Sequence, residues 1–338
     1  MLGWRFAYDD AGDAVRGRSD RIPYSRGRLP AEPEPFQCDW LPVGADPSAT
    51  EAIGMKKTVL ITGTSSGIGK AAAKRFATNG WNVVATMRRP GPEHDFADFG
   101  DVLVTRLDVQ DGKSIEMAVN AGLARFGRID ALINNAGYGQ FGLFEAIPRA
   151  KIQQQFDVNV FGVMDVTRAV LPHFRQNKAG VIVNVSSGAG LFTLPMMSLY
   201  CASKFALEGF SEALAYELGS QNIAVKLVIP HGGVTETRFS ERSQESAAKA
   251  PGLTDYDAFV ARTNEAFTRM TAARRMSSED VAEVIYDAAT DGTDRLRYLV
   301  GDDSRGFVKA RREMTDEDYV RFMRQRFLPG GADGRQSS

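Results

Sequence analysis

The sequence predicts an α/β fold, a single domain built on a doubly wound parallel sheet of about seven strands with helices on both faces. Three observations carry this. Apolar, β-branched runs alternate with helix-forming stretches along most of the chain. The first run leads through a glycine loop directly into a strong helix former, a strand–loop–helix unit typical of parallel sheets. The glycine and polar clusters that could carry chemistry fall just after strand ends, where open α/β sheets bind ligands.

The elements follow in order. Thr58-Val59-Leu60-Ile61 reads as a buried strand, and Lys70 to Ala77 as the helix after it. Asn82 to Met87 is the second strand and Val102 to Arg106 the third. Ser114 to Phe126 is a helix with Ile115, Ala118, Val119, Gly122 and Phe126 on one face. Ala131 to Asn134 is the fourth strand. Lys151 to Asn177 reads mostly as helix, with a kink or break expected at Pro172. Val181 to Val185, Ala224 to Ile229 and Arg297 to Val300 complete the strands. Right-handed crossovers between them give a sheet covered on both faces.

The first 54 residues differ from the rest. They hold six of the fourteen prolines, charges of both signs and little periodicity, so they are expected to be a disordered extension. They lack the apolar stretch of a signal peptide, and their acids do not suit a transit peptide. They read as dispensable; the rival reading is an arm that meets a partner through Phe36, Trp40 and Leu41. Residues 55–301 form the domain, with a long mixed insert at about 235–276 suited to a mobile lid. Residues 302–338 form a helical tail. There, Tyr319, Phe322, Met323 and Phe327 are spaced to dock a short helix on the domain or a neighbour.

Composition narrows the function. Lys plus Arg number 41 against 42 acids, which gives no bulk electrostatic case for nucleic acid. No apolar run reaches the ~18 residues of a membrane span. Cys38 and Cys201 make no disulfide framework, which fits a cytoplasmic protein. His94, His173 and His231 are scattered without metal-ligand spacing, so no metal is expected.

Two motifs carry chemistry. Thr62-Gly63-Thr64-Ser65-Ser66-Gly67-Ile68-Gly69 lies between strand and helix, where glycines let the backbone approach a pyrophosphate at a helix N-terminus. Tyr200 and Lys204 stand four residues apart, on one face if helical, with Ser186-Ser187 upstream. A lysine charge beside a phenol favours phenolate and is expected to bring the phenol pKa towards neutrality, giving an acid for a carbonyl oxygen. The second strand ends in Met87-Arg88-Arg89, without the acid that meets a ribose 2′-hydroxyl in NAD sites. A guanidinium suits a phosphate, so NADP(H) is preferred over NAD(H), with Arg88 the main partner and Ser65 or Arg89 assisting.

Together with Asn134-Asn135-Ala136-Gly137 and Asn159, these motifs make residues 55 to 301 resemble the short-chain dehydrogenase/reductase family, of the single-domain type with a Rossmann-like sheet. The resemblance implies a catalytic set of Asn159, Ser187, Tyr200 and Lys204. Ser187 is preferred to Ser186 because the family's serine stands thirteen residues before its tyrosine. It implies cofactor contacts from Gly63, Ser65, Ser66, Gly67, Ile68, Gly69, Arg88, Asp108, Val109, Asn135, Ala136, Gly137, Tyr200, Lys204, Pro230, Gly232, Gly233, Val234 and Thr235. Asp108 reads equally as a turn residue.

One segment departs from the family pattern. His231 stands where a glycine is usual, or the stretch holds an extra residue, so Thr235 and Thr237 are both candidates for the carboxamide contact. His231 could reach a substrate, but a polar surface group is the plainer reading.

Tyr200 to Gly209 is similar to the 17β-hydroxysteroid dehydrogenase and retinol dehydrogenase branch. With Tyr138, Phe141, Phe144 and the stretch Leu191 to Met197 as an apolar wall, this implies a small apolar ketone, aldehyde or secondary alcohol as substrate. The alternatives are a 3-oxoacyl-thioester reductase and a cofactor-sensing binding protein without turnover. By resemblance, a homodimer or homotetramer is expected.

Overall fold

A computed structural model describes residues 56–91, 96–231, 234, 252–272, 276–301 and 306–327. The extension at 1–54, with Phe36, Trp40 and Leu41, lies outside the described residues, as do Gly232, Gly233, Thr235 and Thr237.

Seven parallel strands form one sheet in the order β3-β2-β1-β4-β5-β6-β7. They are β1 Thr58–Thr62, β2 Asn82–Met87, β3 Val102–Arg106, β4 Ala131–Asn134, β5 Gly180–Val185, β6 Ile223–Pro230 and β7 Arg297–Val300. The order reverses between β1 and β4, which opens a crevice at their carboxyl ends.

Alternate strand residues feed opposite faces of the sheet. Val59 and Ile61 pack with Ala72, Ala73 and Phe76 of α1 (Gly67–Thr78) and with Val281 and Ile285 of α7 (Ser278–Thr290). Leu60 and Leu132 face α2 (Gly112–Phe126), α4 (Gly162–Asn177) and α5 (Ser198–Gly219). Full burial of each Leu or Ile contributes about 2 kcal/mol, so the two faces hold the sheet by many small terms.

Local chemistry sets the helix ends. The Asp111 side chain accepts from the Ser114 N–H to start α2, and Gly127 at φ 77° ends it in a left-handed turn. Ser277 and Asp280 close a capping box on α7.

The helix expected over 151–177 is present, with one interruption that was not expected. Pro172 lies inside α4 without breaking it. The carbonyl that proline leaves unpaired belongs to Arg168, on the exposed side of that helix. The interruption is a π-helical turn, Asp157–Phe161, between α3 (Arg149–Phe156) and α4.

Part of the insert expected as a lid is α6, Asp257–Ala272, preceded by the 3₁₀ turn Thr254–Tyr256. The tail supplies α8 (Phe307–Glu313) and α9 (Asp316–Phe327). Phe307, Tyr319 and Phe327 form one cluster with Ala266 and Phe267 of α6 and with Phe192, so the tail docks on its own domain. Among the described residues no helix is long and apolar enough to cross a membrane.

Candidate active site

The glycine loop lies where the fold reverses. Gly63 adopts φ 75°, and a β-carbon on Gly69 would stand 2.3 Å from the Gly63 carbonyl oxygen and 2.3 Å from Asn135 Nδ2. Only glycine lets the start of α1 seat against the loop this closely. Ser66, the N-cap of α1, makes no side-chain capping bond, and the first turn carries no acid. Unlike α2 and α7, therefore, α1 starts without a side-chain cap from its N-cap residue. This cradle fits an anionic pyrophosphate.

Thr62 ties the loop to β4, a role the sequence did not announce. Its Oγ1 accepts from the N–H groups of Asn135 and Ala136, each at 3.0 Å. Asn135 Nδ2 donates to the carbonyls of Thr62 and Gly63 at 2.9 and 3.2 Å, which ties the loop after β4 to the end of β1. Gly137 lies against Asn159.

Arg88 and Arg89 follow β2, are exposed, and have no ion-pair partner among the described residues. Asp108 takes the turn geometry, its Oδ1 accepting from the Gln110 N–H at 3.2 Å, and Val109 is buried.

The second cluster sits at the carboxyl end of β5. Tyr200 and Lys204 on α5 are buried, at 6% and 7% exposure. The Lys204 Nζ lies 5.9 Å from the Tyr200 ring centroid and donates to the carbonyl of Val185, the last residue of β5, at 2.9 Å. The Ser187 hydroxyl is hydrogen-bonded to the Tyr200 phenol. The Ser186 Oγ is buried, with no hydrogen-bond partner among the described residues.

Asn159 sits on the π-turn and is buried. Its Oδ1 accepts from the Tyr138 N–H at 3.1 Å. Its Nδ2 donates to the Tyr138 carbonyl at 2.8 Å and to Ser203 Oγ at 3.2 Å. Ser203 Oγ in turn donates to the Tyr200 carbonyl at 2.8 Å. The side chain thus locks the loop after β4 to α5.

The expectation that Lys204 lowers the phenol pKa is not met in this state. Burial dominates and pushes the Tyr200 phenol up to about 12, against the opposing Ser187 hydrogen bond. Burial also brings the Lys204 ammonium down to about 8, while the Glu208 carboxylate holds it up. The phenol is therefore a neutral proton donor throughout the physiological range.

Around Tyr200 stands an apolar wall of Ala189, Met197, Phe141, Leu194 and Phe267. Leu194 and Phe267 also belong to the cluster of the tail helices. Phe267 was not singled out from the sequence, because an aromatic on an amphipathic helix gives no sign of where the helix docks. Phe144, expected in the wall, is 62% exposed on a 3₁₀ turn and joins neither cluster. His231, expected as a surface group, is buried instead, with its Nδ1 2.6 Å from the Val300 carbonyl of β7. Pro230 ends β6, paired with Val300, and Val234 bridges Met276.

Residues 57–247 match the family model described as short chain dehydrogenase. An uncharacterized oxidoreductase of Schizosaccharomyces pombe is 37% identical over 235 residues, 69% of this chain and 96% of its own. Retinol dehydrogenase 8 of Bos taurus is 38% identical over 68% of this chain and 76% of its own. A short-chain dehydrogenase structure from Streptomyces avermitilis superposes with a TM-score of 0.67 at 31% identity, covering 79% of this chain and 96% of that one. The protein ElxO with NADP bound gives 0.59 at 26% identity, covering 72% and 98%. A Burkholderia phymatum short-chain dehydrogenase/reductase in complex with NAD gives 0.65 at 26%, covering 76% and 93%.

Proposed function

The chain belongs to the short-chain dehydrogenases, and from that premise we propose an NADP(H)-dependent oxidoreductase acting on an apolar ketone, aldehyde or secondary alcohol. One observation carries the reading: the buried Tyr200 and Lys204 converge with the half-buried Ser187 beside an apolar wall.

When bound, the nicotinamide supplies hydride for reduction or accepts it in oxidation. The remaining work falls to the chain. Tyr200 gives its proton to the substrate oxygen in reduction and takes one in oxidation. Ser187, already hydrogen-bonded to the phenol, orients that oxygen. Lys204 places a positive charge beside the phenol and so favours its ionised form as the proton leaves. Asn159 holds the Tyr138 backbone and, through Ser203, the turn of α5 that carries Tyr200.

On the nucleotide side, the glycine loop and the start of α1 take the pyrophosphate. Arg88, with Arg89 or Ser65 beside it, takes a 2′-phosphate, and this assignment makes NADP(H) the preferred form. Asp108, Val109, Ala136 and Gly137 complete the adenine and ribose side, and Pro230 with Val234 the nicotinamide side.

The wall of Phe141, Leu194, Met197 and Phe267 favours an apolar substrate. The similar retinol dehydrogenase is named for an apolar alcohol, in line with this choice. Phe161, Phe205 and Tyr216 are exposed at 48%, 40% and 74% near α4 and along α5, and support a homodimer through those helices. A cytoplasmic location accords with the free, buried Cys201.

The test is oxidation of NADPH and of NADH, followed by loss of absorbance, across aromatic ketones, a ketosteroid, retinal and an acetoacetyl thioester. Turnover with NADPH on an apolar class is expected. Tight cofactor binding with no turnover on any carbonyl would overturn the reading.

A further inference from the structure

Tyr200 and Lys204 are the first members of a longer stripe. Glu208 and Glu212 follow at the same four-residue spacing on α5. Glu208 is as buried as the lysine, at 5% exposure. A carboxylate so buried persists as an ion only where its charge is balanced.

The balance comes from the far end of the fold. Arg297, the first residue of β7, donates Nε to Glu208 Oε2 at 2.9 Å and Nη2 to Glu212 Oε2. Lys204 and Arg297 thus offset Glu208 and Glu212, two cations for two carboxylates. The other Glu208 oxygen, Oε1, is buried with no hydrogen-bond partner among the described residues. The Glu208 stem fills the space beside Gly190, in the turn that follows Ser187. A β-carbon at Gly190 would meet Glu208 Cγ at 3.0 Å, the Lys204 carbonyl at 3.1 Å and Ser186 Oγ at 3.1 Å.

We propose that Glu208 is a positioning residue that acts through Lys204. Clamped by Arg297, its carboxylate keeps the lysine charged one helical turn from the phenol. The inference rests on Tyr200 and Lys204 as the acid–base pair. It also explains why an acid is buried on this face of α5, where packing alone would place an apolar residue. The negative charge of Glu208 opposes the burial that brings the lysine down. The other titratable groups about this stripe are Tyr200 and Cys201 on α5, Arg297 on β7 with Glu212 behind it, and His231, whose Cβ stands over Gly188.

The test reads the lysine directly, in protein without cofactor. Protein carrying ¹³Cε-labelled lysine is titrated by NMR, and the Lys204 signal is assigned by its loss in Lys204→Met. The wild-type signal is expected to titrate at about 8. In Glu208→Gln the midpoint falls by roughly one pH unit, the size of a single close charge. Glu208→Asp, which keeps the charge, stays near the wild type. Arg297→Met removes a cation and leaves the Glu208 carboxylate with Lys204 as its nearest counter-charge, so it moves the midpoint the opposite way. That variant leaves α5 untouched and decides the matter if Glu208→Gln does not fold. A Lys204 midpoint that does not move in either variant would overturn the proposal. In turnover, the alkaline limb of kcat moves down with the NMR midpoint. A wild type that turns over no carbonyl would sink the functional reading, while the titration would still decide the role of Glu208.

Discussion

The Lys204 ammonium reaches past the Tyr200 ring, 5.9 Å from its centroid, to hold the carbonyl of Val185 at 2.9 Å. One side chain thereby joins the acid on α5 to the end of β5, two residues before Ser187. Because both partners are buried, burial rather than their mutual charge dominates their ionisation.

This arrangement trades stability for function at Lys204. An ammonium held at about 8 costs folding free energy wherever it is charged in the folded state. The cost is complete below that value and disappears above the unfolded lysine value of about 10.4. Lys204→Met should therefore raise Tm by several degrees at neutral pH. The gain should vanish in strongly alkaline buffer, as read by calorimetry across pH. A variant that loses Tm at neutral pH would contradict the burial argument.

Asp291 shows the opposite sign. It pairs with the buried Lys226 and accepts from the Tyr298 hydroxyl, and these bonds hold its carboxyl well below the usual range. Its contribution is present above about pH 3.9 and is lost as pH falls through the depressed value. Asp291→Asn should cost about 3 kcal/mol at neutral pH, since Lys226 is left buried and unpaired. The gap from wild type should narrow in acid denaturation series, and a gap independent of pH would count against this pairing.

Gly69 leaves no room for a side chain. A methyl there would press on the Gly63 carbonyl and on Asn135 Nδ2, both at 2.3 Å. Gly69→Ala is expected to lower Tm and to weaken NADPH by tenfold or more, on the order of 1–3 kcal/mol of overpacking. Wild-type affinity in titration calorimetry would mean that the loop does not form the cradle described.

Arg88→Ala should weaken NADPH by roughly tenfold to a hundredfold, the worth of a charge-assisted bond to phosphate. NADH should be little changed. Equal losses for both cofactors in binding titrations would remove the 2′-phosphate assignment.

Much of this was legible beforehand, for physical reasons. The strands stood out because buried parallel strands are uninterrupted β-branched runs, and β2, β3, β4 and β7 run between the residues expected. The glycine loop and the Tyr200–Lys204 pair were legible because each is local in sequence. What stayed hidden depends on distant partners. The π-turn at Asp157–Phe161 carries no residue that announces it, whereas Pro172 lies inside α4 without breaking it. His231 looked like a surface group until β7 supplied the Val300 carbonyl. The pairing of Glu208 with Arg297, 89 residues away, carries no local signal.

The central claim is that Tyr200 moves the proton. The direct measurement is Tyr200→Phe, assayed for turnover of the best carbonyl and, in the same preparation, for NADPH binding by calorimetry. The account predicts a loss of turnover on the order of 10³-fold with cofactor affinity kept. Retention of most of the turnover would contradict it.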